Sequence, residues 1–315
     1  TWEPTIKHLI ELSDNPRTGI HVDEIWSFEA VNHGDSALIN EGKLGDVFDW
    51  MDNARDILSF VENYIPDGPF VPTTTPLPTH LPRVSPDVAA ERRKQGFKHR
   101  NLVGIGHSLG GCSIANAASA NSNLFHSLTL VDPIIYFQPS EWTTRFAVSA
   151  LTRRQRWDSR KGEALLLFKK SPFFGAWKPE VLELYVKYAL ADIPREKGGG
   201  VKLKMSGFSE ASVFVEQFFP LETAQQLETL DSMVKLRWIV AGKDVDLEKA
   251  ALVQEMVWRR IENSANVLIE GAGHLVSTVH YMMDSCSNLS FGLTRSLRRR
   301  RMSLVRLLVN SKIWL

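Results

Sequence analysis

The amino-acid sequence predicts an α/β protein with a mostly parallel sheet that is interrupted by a block of helices. Strand patterns alternate with helical patterns both before residue 133 and after residue 230, an order that is typical of parallel sheets. Residues 133–230, between these parts, have helical character and one strand pattern near residues 201–205. We therefore expect one interrupted α/β domain rather than two independent domains.

Each element of this prediction depends on a local pattern. Buried-strand patterns occupy residues 23–30, 101–105, 127–131, 236–241 and 266–269. Apolar residues at helical spacing predict a helix over 47–65, with Asp46 as its N-cap and Pro66 as its end. A run of small residues predicts a closely packed helix over 109–120, and an amphipathic pattern predicts another over about 246–262. The proline-rich residues 66–86 should form a surface loop.

Composition limits the classes of protein to consider. The 315 residues are 43% hydrophobic and 23% charged, which is ordinary for a globular protein. Cys112 and Cys286 form no metal or disulfide pattern, and no apolar run is long enough to span a membrane. With no recognisable signal peptide, these features predict an intracellular protein without stable membrane insertion.

The net charge of +1 conceals an uneven distribution. Residues 291–315 contain seven of the 37 basic residues and no acid, so residues 1–290 carry 30 bases and 36 acids, a net charge of −6. Such a tail can bind nucleic acid or an anionic membrane, but a solvated or wrongly assigned terminus is the favoured explanation. We expect no nucleic-acid partner, and the sequence leaves the oligomeric state open.

The clearest chemical motif is Gly106-His107-Ser108-Leu109-Gly110, which lies between a predicted strand and a predicted helix. This is the context of a nucleophile elbow, in which a sharp turn exposes a serine hydroxyl at a helix N-terminus. Side chains at the two outer positions would collide, which explains their glycines. The motif predicts Ser108 as a nucleophile and the Leu109 N–H as an oxyanion donor.

A serine hydroxyl needs a base, and His274 is the best of the nine histidines. It follows a late predicted strand in a Gly-x-Gly-His loop and comes after the serine and the candidate acids in the chain. Two aspartates can serve as the acid. Asp132 ends the strand after the elbow strand, whereas Asp244 follows the next strand, and spacing alone does not choose between them.

Several segments resemble a group of fungal α/β-hydrolases, over roughly residues 2–275. The resemblance is carried by GIGHSLGG, LVDPII, GAGHL, IWSFEAVNHGDSALIN, FDWMDNARDIL and the long segment RWDSRKGEALLLFKKSPFFGAWKPEVLELYVKYAL. The group includes hydrolases of host-selective toxin biosynthesis, peroxisomal Lpx-type lipases and the acyl-CoA hydrolase of mycophenolic acid biosynthesis.

The resemblance implies an α/β-hydrolase fold in four parts. These are a first core part (1–132), a helical cap (133–230), a second core part (231–290) and a basic tail (291–315). In one interpretation, the sequence of this tail is wrongly assigned. It favours Asp132 over Asp244 as the acid, because the matching aspartate of the acyl-CoA hydrolase has that role. It also implies an acyl pocket under the cap. The residues that we expect to contact substrate are His107, Phe173, Phe174 and Trp177, with Leu184 and Tyr188 as further lining. Aromatic residues at helical spacing are, however, more often ordinary core residues of the cap.

Two features depart from the group. Its members begin with further strands and a His-Gly-type turn that supplies the second oxyanion donor, and we expect both to be missing here. The loss would leave an open slot in the sheet between the strand over residues 23–30 and the elbow strand. The tail differs too. Ser311-Lys312-Ile313 resembles a peroxisomal signal, but two residues follow it, so a receptor that reads the terminus should not recognise it.

These features together predict a serine hydrolase that cleaves acyl esters or acyl-CoA thioesters without a cofactor, in the cytoplasm or the peroxisome. An acyltransferase would use the same three side chains with an alcohol acceptor. An inactive or purely binding protein is the third interpretation, because the second oxyanion donor is missing.

Overall fold

In a computed structural model, the described residues are 2–72, 75–137, 142–243, 247–276 and 304–310. The strands in chain order are β1 (Glu24–Glu29), β2 (Asn101–His107), β3 (Ser127–Val131), β4 (Arg156–Trp157), β5 (Leu190–Asp192), β6 (Val201–Leu203), β7 (Lys235–Ala241), β8 (Ser264–Ile269) and β9 (Leu304–Asn310). The helices are α1 (Glu3–Asp14), α2 (Gly34–Ile39), α3 (Trp50–Asn63), α4 (Pro86–Gln95), α5 (Leu109–Ala120), α6 (Trp142–Thr152), α7 (Leu165–Lys170), α8 (Pro172–Gly175), α9 (Pro179–Tyr188), α10 (Gly207–Phe214), α11 (Phe218–Gln226) and α12 (Leu247–Val257).

Six strands form the main sheet in the order β1-β9-β2-β3-β7-β8, and all neighbours in it are parallel. Both faces of this sheet are apolar, as expected for parallel strands that are covered on two sides. Leu236, Trp238 and Val240 of β7 pack on the side of α3 and α5, whereas Ile239 and Ala241 pack on the side of α1. Because all neighbouring strands are parallel, the carboxyl ends of the six strands lie at one edge of the sheet.

The expected open slot between β1 and the elbow strand β2 is not found. Strand β9, from the basic tail, lies between them and pairs with both. Its register places Leu307 beside Trp26 of β1 and beside Gly104 of β2. The expectation was wrong because any short extended segment with free backbone groups can pair with both strands. Residues 304–310, far along the chain, form such a segment and pair in parallel with β1 and β2.

Most other core elements lie close to their predicted positions, with local differences at the ends. Helix α3 begins at Trp50, and its cap is Asp49 rather than Asp46, because the Asp49 carboxylate accepts a hydrogen bond from the Met51 N–H. Helix α5 covers residues 109–120, as the small-residue run predicted. Among the described residues, we find no helix that combines the length and the apolar character needed to cross a membrane.

The segment between β3 and β7 contains α6 to α11 and a small antiparallel sheet in the order β4-β6-β5. We call this segment the cap. The sequence indicated strand character only near residues 201–205, so β4 and β5, which have two and three residues, were not expected. An ion pair joins Arg153, which directly follows α6, to the fully buried Glu210 of α10.

Candidate active site

The turn predicted as a nucleophile elbow joins β2 to α5 and carries Ser108 in a strained conformation. Ser108 has φ of 55° and ψ of −124°, a region that L-residues other than glycine rarely adopt. A Cβ at Gly106 would lie 2.4 Å from the Gly110 carbonyl oxygen, so the turn tolerates no side chain there. A Cβ at Gly111 would lie 2.7 Å from Cβ of Pro133, which follows β3. The glycines therefore permit both the turn and its close packing.

Three side chains that the sequence singled out come together at the carboxyl edge of the sheet. Nε2 of His274 lies 3.0 Å from Oγ of Ser108, and Nδ1 of His274 lies 2.6 Å from Oδ2 of Asp132. A carboxylate can only accept, so the imidazole proton belongs on Nδ1, which leaves Nε2 to accept from the serine hydroxyl. Ser108 is buried with 2% exposure, whereas the His274 and Asp132 side chains are about a quarter exposed.

The Asp132 carboxylate is held from two sides. Its Oδ2 faces His274, and its Oδ1 accepts a hydrogen bond of 3.0 Å from the Ala241 N–H at the end of β7. Burial opposes its charge, but the hydrogen bond and the attraction of His274 outweigh burial and keep the pKa of Asp132 below its ordinary value. Asp132 is therefore ionised near neutral pH. Its φ of 39° is another uncommon backbone conformation.

The alternative acid, Asp244, lies outside the described residues. The structure therefore gives the position of one candidate acid, with its carboxylate oriented toward His274. The preference for Asp132 over Asp244 stays a prediction.

Leu109 is the first residue of α5, so its N–H is one of the groups that a helix leaves without an intrahelical partner. It directly follows Ser108, where a developing oxyanion would form. Cys112 lies one turn further on and is fully buried, and burial raises the pKa of its thiol well above the ordinary range. We assign no chemistry to this cysteine.

His107 contacts the loop over residues 270–275, which carries His274 and which we call the histidine loop. Its Nε2 is 2.8 Å from the carbonyl oxygen of His274, and the two imidazole rings are 4.9 Å apart between centroids. Desolvation, followed by repulsion from His274, lowers the pKa of His107 to about 4. The sequence predicted a contact with substrate for this residue, and that role stays a prediction.

The aromatic residues predicted to line an acyl pocket lie in the core of the cap. Phe174 stacks on the buried Tyr185 at 5.4 Å, and both Phe173 and Trp177 have ring contacts with Phe174. Their ring contacts hold the cap together, so a direct role toward substrate does not follow from them. Leu275, next to His274, packs against the same cluster and thus connects the cap to the histidine loop.

A cleft lies between the turn that follows β1 and the cap. Among its lining residues are His33, Arg153, Tyr188 and Lys204. Tyr188 was predicted to line the pocket, whereas the other three were not singled out. Ser108, Asp132 and His274 are not among the residues that line this cleft.

Sequence reasoning missed two contributions to the site. The Ala241 N–H supports Asp132 through its backbone, which no residue-type pattern can reveal. The contact between His107 and His274 was also missed. A signal for it existed, because a histidine next to Ser108 on a buried strand must find a polar partner.

Comparison with known proteins agrees with this architecture. A model of the α/β hydrolase family matches residues 2–284. The type I acyl-CoA thioesterase mpaH of Penicillium roqueforti is 27% identical over 200 residues, which cover 61% of this chain and 37% of that protein. The peroxisomal membrane protein LPX1 of Saccharomyces cerevisiae is 31% identical over 134 residues, which cover 42% of this chain and 27% of that protein.

The fold also matches solved structures. The crystal structure of the peroxisomal α/β-hydrolase Lpx1 from Saccharomyces cerevisiae has a TM-score of 0.57 at 21% identity. That match covers 79% of this chain and 60% of the Lpx1 chain. The chain spans about a third of the length of the curated relatives that it matches. The family match over most of its length, together with this fold, shows that the chain belongs to the α/β-hydrolase family.

Proposed function

We propose that the protein is a serine hydrolase that cleaves acyl esters or acyl-CoA thioesters with Ser108, His274 and Asp132. The observation that carries the proposal is the pair of contacts made by one imidazole, at 3.0 Å to the Ser108 hydroxyl and 2.6 Å to the Asp132 carboxylate. This geometry suits a base that receives a proton on Nε2 while its Nδ1–H is held by a carboxylate.

The proposed reaction has two halves. Ser108 attacks the substrate carbonyl carbon, its hydroxyl proton passes to Nε2 of His274, and the Leu109 N–H donates to the oxyanion. His274 then returns the proton to the leaving alcohol or thiol. Water attacks the acyl-enzyme with His274 as base again, which releases the carboxylic acid and restores Ser108.

The thioester half of the proposal is supported by relatives. A type I acyl-CoA thioesterase is among the proteins to which the chain is similar. The same side chains can cleave oxygen esters, because both reactions pass through a tetrahedral oxyanion. Comparison of acyl-CoA and p-nitrophenyl ester substrates with matched acyl chains will show which leaving group the enzyme prefers.

The cellular setting is part of the proposal. A relative is named a peroxisomal membrane protein, and others are abhydrolase domain-containing proteins of Alternaria alternata. We infer that the enzyme acts in the peroxisome or the cytoplasm, within fungal secondary metabolism. An N-terminally tagged protein that enters the secretory pathway would contradict this placement.

The test uses the purified chain, a fluorophosphonate probe and both substrate classes. We expect the probe to label Ser108 and expect Ser108→Ala to lower kcat by at least about 10³-fold while the circular dichroism spectrum is retained. Ser119→Ala, on the same helix α5, is the matched control and should keep wild-type turnover. Equal turnover in wild type and Ser108→Ala would overturn the proposal.

A further inference from the structure

The histidine loop has few internal anchors. It follows β8, and a Cβ added at Gly271 or Gly273 would meet nothing within 4 Å, so these positions are not tightly packed. Ala272 is fully buried, and its carbonyl oxygen accepts a hydrogen bond of 2.8 Å from the Lys243 N–H. The loop backbone is therefore fixed at Ala272, two residues before the imidazole that must be oriented.

His107 supplies the next anchor, at His274 itself. A carbonyl oxygen can only accept, so the 2.8 Å contact places a proton on Nε2 of His107. The His107 ring also packs against the His274 ring, with an angle of 38° between the ring planes. His107 is buried, with 7% exposure. One side chain thus contacts both the backbone and the ring of the proposed base.

The charge state of His107 suits this position. Burial, with a further contribution from His274, lowers the pKa of His107, so its imidazole is neutral when the enzyme works near neutral pH. His274 becomes a cation when it takes the serine proton. A lysine or arginine at position 107 would also donate a hydrogen bond, but its charge would repel that cation at close range.

We propose that His107 is a positioning residue whose Nε2–H holds the His274 carbonyl and whose ring supports the His274 imidazole, so that Nε2 of His274 faces Ser108. The proposal rests on the function proposed above for Ser108, Asp132 and His274. It replaces the substrate contact that the sequence predicted for this histidine with a contact to the catalytic base.

Two substitutions separate the hydrogen bond from simple packing. His107→Gln keeps an N–H donor at about the reach of Nε2 and removes the titrating ring. His107→Leu fills similar space without a donor. The measurements are kcat, KM, the melting temperature, and the downfield proton resonance of the His274 Nδ1–H bound to Asp132.

We expect His107→Leu to lower kcat by about 10–100-fold with KM changed by less than about threefold, because a displaced base slows the reaction more than it weakens binding. Its downfield resonance should broaden or disappear. His107→Gln should restore the resonance and return kcat to within about fivefold of wild type.

Three results would overturn the proposal. The first is a wild-type kcat and resonance in His107→Leu. The second is a rise in KM without a fall in kcat, which would indicate that His107 contacts substrate instead. The third is an equal loss of activity and melting temperature in both variants, which would indicate packing alone. If Ser108→Ala keeps full turnover, the proposed function fails, but the resonance still decides whether His107 positions His274.

Discussion

Nδ1 of His274 lies 2.6 Å from the Asp132 carboxylate, although 142 residues, including the whole cap, separate the two in the sequence. The contact forms because β3 and β8 end at the same edge of the sheet, with β7 between them. The Ala241 N–H at the end of β7 holds the other carboxylate oxygen. The sheet thus brings together an imidazole and a carboxylate from distant segments and holds the carboxylate from the strand between them.

The first prediction concerns the identity of the acid. Asp132→Asn should lower kcat by about 10³–10⁴-fold, because an amide in this position can stabilise the wrong tautomer of His274. Asp244→Asn is the matched control and should lower kcat by less than about tenfold. Steady-state kinetics on the same ester substrate will measure both. A larger loss in the Asp244 variant would transfer the role to that residue.

The second prediction concerns the elbow. Alanine at Gly106 would place its Cβ 2.4 Å from the Gly110 carbonyl oxygen and 2.7 Å from Gly111 Cα, both of them backbone atoms. The turn must shift, so we expect Gly106→Ala to reduce the free energy of unfolding by about 1–3 kcal/mol. The rate of fluorophosphonate labelling at Ser108 should fall by about 10²-fold.

Gly45→Ala is the control for this prediction, because an added Cβ there meets nothing within 4 Å. Its free energy of unfolding should change by less than about 0.5 kcal/mol. Labelling of Gly106→Ala at the wild-type rate would show that the elbow accommodates a side chain.

Local patterns predicted the elements around Ser108, and the physical reason is that these elements are determined by neighbouring residues. The glycines and small residues that favour the turn and helix α5 are adjacent in the sequence, so their pattern is visible without knowledge of the rest of the chain. The placement of Asp132 beside His274 is different. It involves a positive φ at Asp132 and a hydrogen bond from another strand, and neither can be read from the sequence.

Strand β9 could not be predicted for a related reason. Residues 304–310 form a short apolar run with one arginine, and such a run does not reveal with which strands it will pair. Its place is determined by two neighbours, β1 and β2, whose facing edges would otherwise lack backbone partners. Such a long-range pairing is a property of the assembled sheet.

The third prediction concerns pH. Burial lowers the pKa of His107 from 6.5 to about 4. Between these values, the unfolded chain binds a proton at residue 107 and the folded protein does not, so acidification favours unfolding. Stability from this group is complete above pH 6.5 and is lost as the pH falls toward 4. The loss is about 1.4 kcal/mol for each pH unit in this window.

His107→Gln removes this titrating group. Between about pH 7 and about pH 5, the wild type should lose about 1–2 kcal/mol more stability than the Gln variant, as measured by urea unfolding. His126, whose pKa burial also lowers, is present in both proteins and cancels in the comparison. Parallel losses in the two proteins would show that His107 is not neutral and buried in solution.

The last prediction concerns β9, an internal strand that lies between β1 and β2. Leu307 pairs with Trp26 of β1 and with Gly104 of the elbow strand β2. A proline there cannot donate its backbone hydrogen bond, and prolines are excluded from central strands for this reason. Each buried backbone group left without a partner costs about 1–3 kcal/mol. The pairing with β2 also extends to Gly106, two residues before Ser108.

We therefore expect Leu307→Pro to lower the melting temperature, to increase aggregation through the exposed strand edges, and to slow labelling of Ser108. The matched control is Thr79→Pro, which introduces a proline into an exposed loop and should leave the melting temperature within about 2 °C of wild type. Both variants introduce a proline, so a difference between them reports the effect of its position in the strand. If Leu307→Pro melts and labels like wild type, residues 304–310 do not occupy the slot between β1 and β2 in solution.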